Sequence, residues 1–178
     1  MSELKELAAE AKHELLTHII PFWRGMRDDK FGGYYGYLSY DLALDEKAEK
    51  GCILNSRITW FFANAYLLYK DGGISEEECE AAGFKGEDLL AEAKHGYEFL
   101  REHCIDKEYG GIFWSLNYDG TPLDTTKHTY NQAFCIYALS SYYDAAGDKE
   151  ALELAFSLFD IIEAVSYTHL TLPTSDLV

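Results

Sequence analysis

One short pattern occurs twice in the chain, and each copy precedes a long apolar segment. Residues 29–41 (DKFGGYYGYLSYD) align with residues 107–119 (KEYGGIFWSLNYD), so the glycine pairs Gly32-Gly33 and Gly110-Gly111 lie 78 residues apart. Each copy has an aromatic residue, two glycines, a run of large side chains and a Tyr-Asp pair. Such runs between turn signals are typical of short β-hairpins. The chain is therefore expected to build a repeat architecture, with a hairpin before each apolar segment.

Apolar spacing predicts helices on both sides of the hairpins. From Leu4 to Ile19, apolar residues recur at three- and four-residue steps, which indicates an amphipathic helix that Pro21 is expected to end. The segments Ile53–Tyr69 and Tyr130–Tyr143, by contrast, are apolar around most of their circumference. Helices of that kind are buried, so these two are interpreted as inner helices.

Two further helices complete the predicted order. One runs from about Gly86 to Cys104, after a short connector that Ser75 opens as part of a capping box. The last begins after Asp148, a candidate N-cap, and is expected to reach Ala164. The order is outer helix, hairpin, inner helix, repeated once and followed by a fifth helix. It predicts an all-α toroid of helical hairpins. An open helical solenoid that binds proteins is the structural alternative, although aromatic-Gly-Gly hairpins are better suited to the rim of a central cavity.

The last fourteen residues, Val165–Val178, do not continue the acidic helical pattern. They contain five Ser or Thr residues and one Pro, and the run VSYTHLTLPT resembles the conceptual translation of a transposon-type sequencing adapter. We therefore expect residues 1–164 to belong to the helical domain and residues 165–178 to be a non-native tail. On this interpretation the natural chain continues past Ala164, and the fragment alone is expected to be inactive.

Composition excludes several classes of function. The net charge of −16, from 15 basic and 31 acidic residues, disfavours binding to nucleic acid and to anionic membranes. No apolar run reaches the roughly 18 residues of a membrane helix, and the start of the chain lacks the features of a signal peptide, so a cytoplasmic location is expected. The four cysteines show no paired metal-ligand spacing. The cysteines therefore predict neither a zinc site nor a redox site.

Aromatic residues make up 15% of the chain, with 14 tyrosines. A sugar ring presents apolar C–H faces that stack on aromatic rings and hydroxyl groups that bind a phenolic OH. The composition therefore fits a cleft for a neutral carbohydrate, although most of these rings are expected to fill the space between helices.

Several ordered blocks of the chain resemble the cellobiose 2-epimerase family, within the N-acylglucosamine 2-epimerase superfamily. The resemblance extends from about His13 to Ala164 and rests on His18–Trp23, Arg27–Asp29, Phe31–Leu38, Gly51–Trp60, Tyr109–Trp114 and Lys127–Phe134. It implies an (α/α)6 barrel in a chain more than twice this long, of which these residues would form about the first five helices. It also implies a monomer or a weak homodimer.

The resemblance implies a reaction that needs no metal or nucleotide. An epimerase of this family inverts C2 of the reducing-end glucose in cellobiose and related β-1,4 disaccharides. A base removes the C2 proton, a positive donor stabilises the enediolate, and the proton returns to the opposite face. Histidine suits both proton steps because its pKa lies near 6.5. In the family two histidines on later helices are understood to act, and neither is assigned here.

Arg57 is the predicted catalytic residue. Its position in an apolar inner-helix segment calls for either a buried carboxylate partner or a developing oxyanion, and spacing alone leaves both open. The resemblance of Ile53–Arg57 to the family motif favours the oxyanion role. Tyr130 similarly resembles a substrate-contacting tyrosine, with core packing as its alternative. His128 is expected to make hydrogen bonds at the start of its helix, with proton transfer as its alternative. The histidines of the outer segments are expected to be solvated or to cap.

Other functions remain open at this stage. An N-acylglucosamine 2-epimerase or an aldose-ketose isomerase would share the barrel and the arginine. A toroidal glycoside hydrolase would need two carboxylates, and Asp119 and Asp124 are the candidates, although their contexts favour turns. A helical scaffold without enzymatic activity is the third option.

Overall fold

The computed structural model describes residues 3–170, and its helices follow the predicted order. The helical elements are α1 (Glu3–Glu14), a π-helical segment (Leu15–Ile19), α2 (Ile20–Gly25), α3 (Cys52–Lys70), α4 (Glu76–Ala81), α5 (Gly86–Phe99) with a second π-helical segment (Leu100–Cys104), α6 (Thr129–Ala146) and α7 (Lys149–Leu170).

Three short strands join the two hairpin regions into one antiparallel sheet. They are β1 (Lys50–Gly51), β2 (Ser115–Leu116) and β3 (Pro122–Asp124), in the order β1-β2-β3. Lys50 pairs with Leu116, and Ser115 pairs with Asp124. The segment before α3 is thus bonded to the hairpin before α6, which connects the start of one inner helix to the loop that leads into the next.

The helices form two layers, as the apolar pattern predicts. In the inner layer α3 packs against α6, and each inner helix also packs against an outer one, α3 on α5 and α6 on α7. The apolar core lies between the layers and includes the fully buried residues Tyr34, Phe62, Leu89, Leu100 and Leu139.

The first helix does not end before Pro21, contrary to the sequence prediction. The chain passes through the proline and stays helical to Gly25. In the π-helical segment the Ile20 N–H donates to the Leu15 carbonyl, five residues back. This wider turn comes just before the residue that has no N–H to donate, so the helix continues without a normal α-helical bond at Pro21.

The apolar stripe of α1 is exposed. Leu4 and Leu7 are 77% and 62% exposed, and α1 buries none of its residues Glu3–Glu14. Farther along the same helical rod Leu16 and Ile20 are buried. Only the end of this outer rod that lies next to the hairpin therefore contributes to the core of residues 3–165.

Both predicted caps are present. Ser75 Oγ accepts from the Glu78 N–H, and the Glu78 carboxylate accepts from the Ser75 N–H, which makes the expected capping box at α4. At α7 the Asp148 carboxylate accepts from the Glu150 N–H at 2.9 Å. These bonds satisfy N–H groups that a helix start leaves without partners.

The last helix runs to Leu170 rather than to the predicted Ala164. Residues 165–170 contain neither Pro nor Gly, so no strong breaker interrupts the helix there. Residues 171–178 of the predicted tail lie outside the described residues, as do the side chains from position 166 onward. None of the helices in the described range has the length and apolar character needed to cross a membrane.

Candidate functional site

A buried ion pair fixes the first glycine hairpin to the start of α3. Lys50 Nζ lies 2.6 Å from the Asp28 carboxylate and donates to the Gly32 carbonyl at 2.7 Å. The side chains of Lys50 and Asp28 are 0% and 1% exposed. From α3 itself, the Asn55 amide oxygen accepts from the Tyr34 N–H at 2.9 Å. The hairpin and the inner helix are thus held together by one charged and one neutral contact.

The second hairpin repeats this arrangement. Lys127 Nζ lies 2.5 Å from the Asp106 carboxylate, and the Gln132 amide oxygen accepts from the Ile112 N–H at 3.0 Å. In both copies the lysine precedes the amide by five residues. The second pair is less buried, with the Asp106 side chain 12% exposed. Since the same groups fix both inner helices, corresponding positions of α3 and α6 stand in the same relation to their hairpins.

Residues at corresponding positions of the two inner helices meet each other. Counted from Lys50 and Lys127, Phe134 of α6 occupies the position that Arg57 occupies in α3. Tyr137 of α6 corresponds in the same way to Trp60 of α3. The Arg57 guanidinium carbon lies 5.9 Å from the centre of the Phe134 ring, within the range of a cation–π contact. Trp60 and Tyr137 are stacked with their ring centres 5.0 Å apart.

Arg57 is exposed, and no described carboxylate lies within ion-pair distance of its side chain. The chain's three other arginines, Arg24, Arg27 and Arg101, each contact two carboxylates. The buried ion pair considered as the alternative role for Arg57 is therefore absent from the part of the chain that the structure covers. The guanidinium projects from the open face of the inner layer.

Tyr130 lies in the first turn of α6 and is 61% exposed. Its ring meets the edge of Phe134, with centres 4.9 Å apart. Phe134 thus touches both predicted site residues, Arg57 and Tyr130. Core packing does not explain an exposure this large, so the phenolic group is available to a ligand.

An open depression of about 290 Å³ borders this cluster and is lined by Ala133, Phe134 and Tyr137. Its wall is aromatic and almost entirely apolar, which fits the C–H face of a sugar ring. The guanidinium of Arg57, packed on Phe134, supplies the positive charge beside it. The combination can bind a neutral polyol and stabilise an oxygen that becomes negative.

His128 is exposed at the N-cap of α6, where its side chain makes no capping hydrogen bond, so the expected hydrogen-bonding role is wrong. Its ring instead meets the edge of Trp114 at 4.9 Å.

Of the outer-segment histidines, His18 lies at the surface, 3.0 Å from Glu14, as predicted. His95 is neither solvated nor a cap, because its Nε2 donates to the Gly33 carbonyl of the first hairpin at 2.8 Å.

The two candidate hydrolase carboxylates serve turns, as their contexts predicted. Asp119 accepts from the backbone and hydroxyl groups of Thr121, and Asp124 accepts in the same way from Thr126. These hydrogen bonds hold the pKa of each carboxyl below its usual value. Neither is therefore suited to act as a general acid near neutral pH.

The cysteines are structural. All four are buried and free, and burial raises the pKa of Cys79 to about 11. Thiols of this kind stay protonated and unreactive at neutral pH. Within the described residues no cluster of three His, Cys, Asp or Glu side chains has the geometry of a metal site.

Sequence reasoning missed Phe134, Trp60 and Tyr137 as members of the site. In the sequence each one reads only as an apolar residue of an inner helix. Aligning the two inner helices on Lys50 and Lys127 gives Phe134 the position equivalent to Arg57. The internal repeat could therefore have identified Phe134 from the sequence.

Comparison with known proteins gives consistent matches along the chain. The family model for N-acylglucosamine 2-epimerase (GlcNAc 2-epimerase) matches residues 33–172. The cellobiose 2-epimerase of Ruminococcus albus is 55% identical over 157 residues, which is 88% of this chain. A solved sugar epimerase from a ruminal bacterium superposes with a TM-score of 0.78 at 54% identity, covering 89% of this chain and 37% of that one. The solved cellobiose 2-epimerase from Bacillus thermoamylovorans B4167 gives 0.81 at 40% identity, covering 90% and 38%.

The chain spans 36% of the length of its Ruminococcus albus relative. Over the shared part, the likeness to solved epimerases confirms the predicted all-α fold, with outer and inner helices that form part of an (α/α)6 barrel. The resemblance stated from the sequence is confirmed as well.

Proposed function

Since the chain belongs to the N-acylglucosamine 2-epimerase family, we propose that the whole protein is a cellobiose 2-epimerase. It inverts C2 of the reducing-end glucose in cellobiose and related β-1,4 disaccharides and yields the mannose epimer. The choice of substrate is supported by the relatives, because the curated proteins at 52–55% identity bear the name cellobiose 2-epimerase.

The chemical problem is the removal of a weakly acidic proton next to a carbonyl. Ring opening frees the C1 aldehyde, a base then takes the C2 proton, and negative charge develops on the enediolate oxygen. Return of a proton to the opposite face gives the epimer. A fixed positive donor lowers the barrier most when it faces the oxygen that becomes charged.

Arg57 is the proposed donor, and the observation that supports it most is the absence of any described carboxylate partner. A guanidinium keeps its proton throughout and offers several N–H groups in one plane. Held over Phe134, it is free to hydrogen-bond the C1 or C2 oxygen of the open-chain sugar.

Tyr130, whose ring also packs on Phe134, is the proposed substrate contact. Its exposed phenolic group can donate to a sugar hydroxyl, while the stacked pair Trp60 and Tyr137 supplies further aromatic surface. The proton-transfer groups are proposed to be histidines on later helices of the whole protein. By resemblance to the family, the whole protein is proposed to be a monomer or a weak homodimer.

The test is Arg57→Lys in the whole protein, with cellobiose as substrate. Lysine keeps the charge but loses the planar fork, so kcat/KM is expected to fall about a hundredfold. Arg101→Lys is the matched control, because Arg101 pairs with surface carboxylates and should leave turnover unchanged.

Product analysis by chromatography separates the competing functions. The mannose epimer supports the proposal. Release of glucose would indicate a hydrolase, a ketose product an aldose-ketose isomerase, and turnover of N-acetylglucosamine alone an N-acylglucosamine 2-epimerase. No turnover of any sugar by the unmodified protein would support a scaffold.

A further inference from the structure

We propose that Phe134 is a positioning residue that keeps the Arg57 guanidinium over its ring and away from carboxylates. The inference rests on the proposed function, since it explains how the catalytic charge stays available. Phe134 is half-buried, and among the described residues its ring is the one aromatic face within cation–π range of the Arg57 guanidinium.

The excess of acidic residues explains why the Arg57 guanidinium needs a contact other than a carboxylate. The chain carries 31 acidic residues against 15 basic ones, and its other arginines are all paired. Arg27, for example, lies 2.6 Å from Asp29 and 3.1 Å from Glu92. A guanidinium bound to a carboxylate has its field largely cancelled and its N–H groups occupied. An aromatic face attracts the cation, but unlike a carboxylate it does not accept hydrogen bonds from the N–H groups in the guanidinium plane. Those N–H groups therefore remain open to a ligand.

The repeat explains why Phe134 is in the right place. Lys50 and Lys127 fix the starts of α3 and α6 to equivalent hairpins. Arg57 and Phe134 each follow their lysine by seven residues, so the two side chains project from the same height of neighbouring inner helices. Tyr130, one turn earlier on α6, forms a T-shaped contact with the Phe134 ring, with centres 4.9 Å apart. Because the two repeats are built alike, the Phe134 ring of α6 lies beside the Arg57 guanidinium of α3.

The test compares Phe134→Leu with Phe134→Tyr in the whole protein. Leucine fills much of the space but has no aromatic face, so kcat on cellobiose is expected to fall about three- to tenfold while KM changes less than twofold. Tyrosine keeps the face and should restore kcat to within twofold. Phe156→Leu is the matched control, because Phe156 is 61% exposed on the outer helix α7 and no described ring contact joins it to Phe134.

A second measurement reads the contact without activity. In the proton NMR spectrum, ring current from Phe134 should shift the Arg57 side-chain signals upfield, and Phe134→Leu should abolish that shift. A missing shift in the unmodified protein, an unchanged kcat in Phe134→Leu, or equal losses in Phe134→Leu and Phe134→Tyr would each overturn the inference. If the unmodified protein turns over no sugar, the proposed function fails, and the NMR signal alone decides whether Phe134 holds Arg57.

Discussion

Individual residues of the inner face differ from the rest of the chain in how their polar groups are used. Elsewhere many charged side chains are paired with each other or with backbone groups, as for Lys50 with Asp28 and for Glu78 with the Ser75 N–H. On the inner face Arg57 and Tyr130 keep their hydrogen-bonding groups open. Exposed groups held by aromatic contacts, rather than by ion pairs, are what a site for a neutral polyhydroxyl ligand requires.

We predict that Tyr130 binds substrate through its hydroxyl. Tyr130→Phe keeps the ring against Phe134 but removes the OH, so KM for cellobiose should rise about three- to tenfold, the cost of one hydrogen bond. The Tm should not change, because the residue is 61% exposed. Tyr40→Phe, at a fully exposed hairpin position, is the control, and an unaltered KM in Tyr130→Phe would remove Tyr130 from the site.

At the scale of elements, the hairpins fix the inner helices rather than merely connecting them. Gly33 illustrates how close the fit is. Its φ of +66° is unfavourable for other residues, and an added Cβ would lie 2.6 Å from the Asn55 amide oxygen. The close approach of the loop to α3 therefore explains the aromatic-Gly-Gly motif. The adjacent buried ion pair of Lys50 and Asp28 holds the same hairpin against the start of α3.

We predict that Lys50→Met destabilises the protein by about 3–5 kcal/mol, because it leaves the Asp28 carboxylate buried without its partner. Urea unfolding of the whole protein would measure this. Lys127→Met should cost less, since that pair is more exposed. Adding Asp28→Asn to Lys50→Met should recover part of the loss, and equal effects of the two lysine variants would contradict the assigned difference in burial.

The stability of the protein in acid should depend on the buried Asp28 carboxylate and its contact with Lys50. Burial alone would raise the pKa of Asp28, but hydrogen bonds from Lys50 and from two backbone N–H groups outweigh it and hold the pKa below the usual 3.8. A lowered folded pKa means that the stabilisation is complete above pH 3.8 and is lost as the pH falls through the folded value. The Tm of the unmodified protein should therefore drop more steeply below pH 4 than that of Asp28→Asn. Parallel curves would show that Asp28 contributes nothing to acid unfolding.

At the scale of the whole molecule, sequence patterns predicted most of the architecture, since periodicity, caps and the internal repeat are local signals. The passage of the helix through Pro21 was not predictable, because it depends on a π-helical turn that the residue types do not specify. The exposure of Arg57 was not predictable either. An apolar neighbourhood in sequence indicates a buried helix, whereas the side chain points to the open face of the inner layer.

The central claim is that the whole protein exchanges the C2 proton of a reducing-end sugar beside Arg57. The most direct measurement is proton NMR of cellobiose incubated with the whole protein in D2O, with Arg57→Lys alongside. The account predicts that the C2 proton of the reducing-end residue is replaced by deuterium as the mannose epimer forms, and that Arg57→Lys slows both together. Epimer that forms without deuterium at C2, or cleavage of cellobiose to glucose, would contradict it.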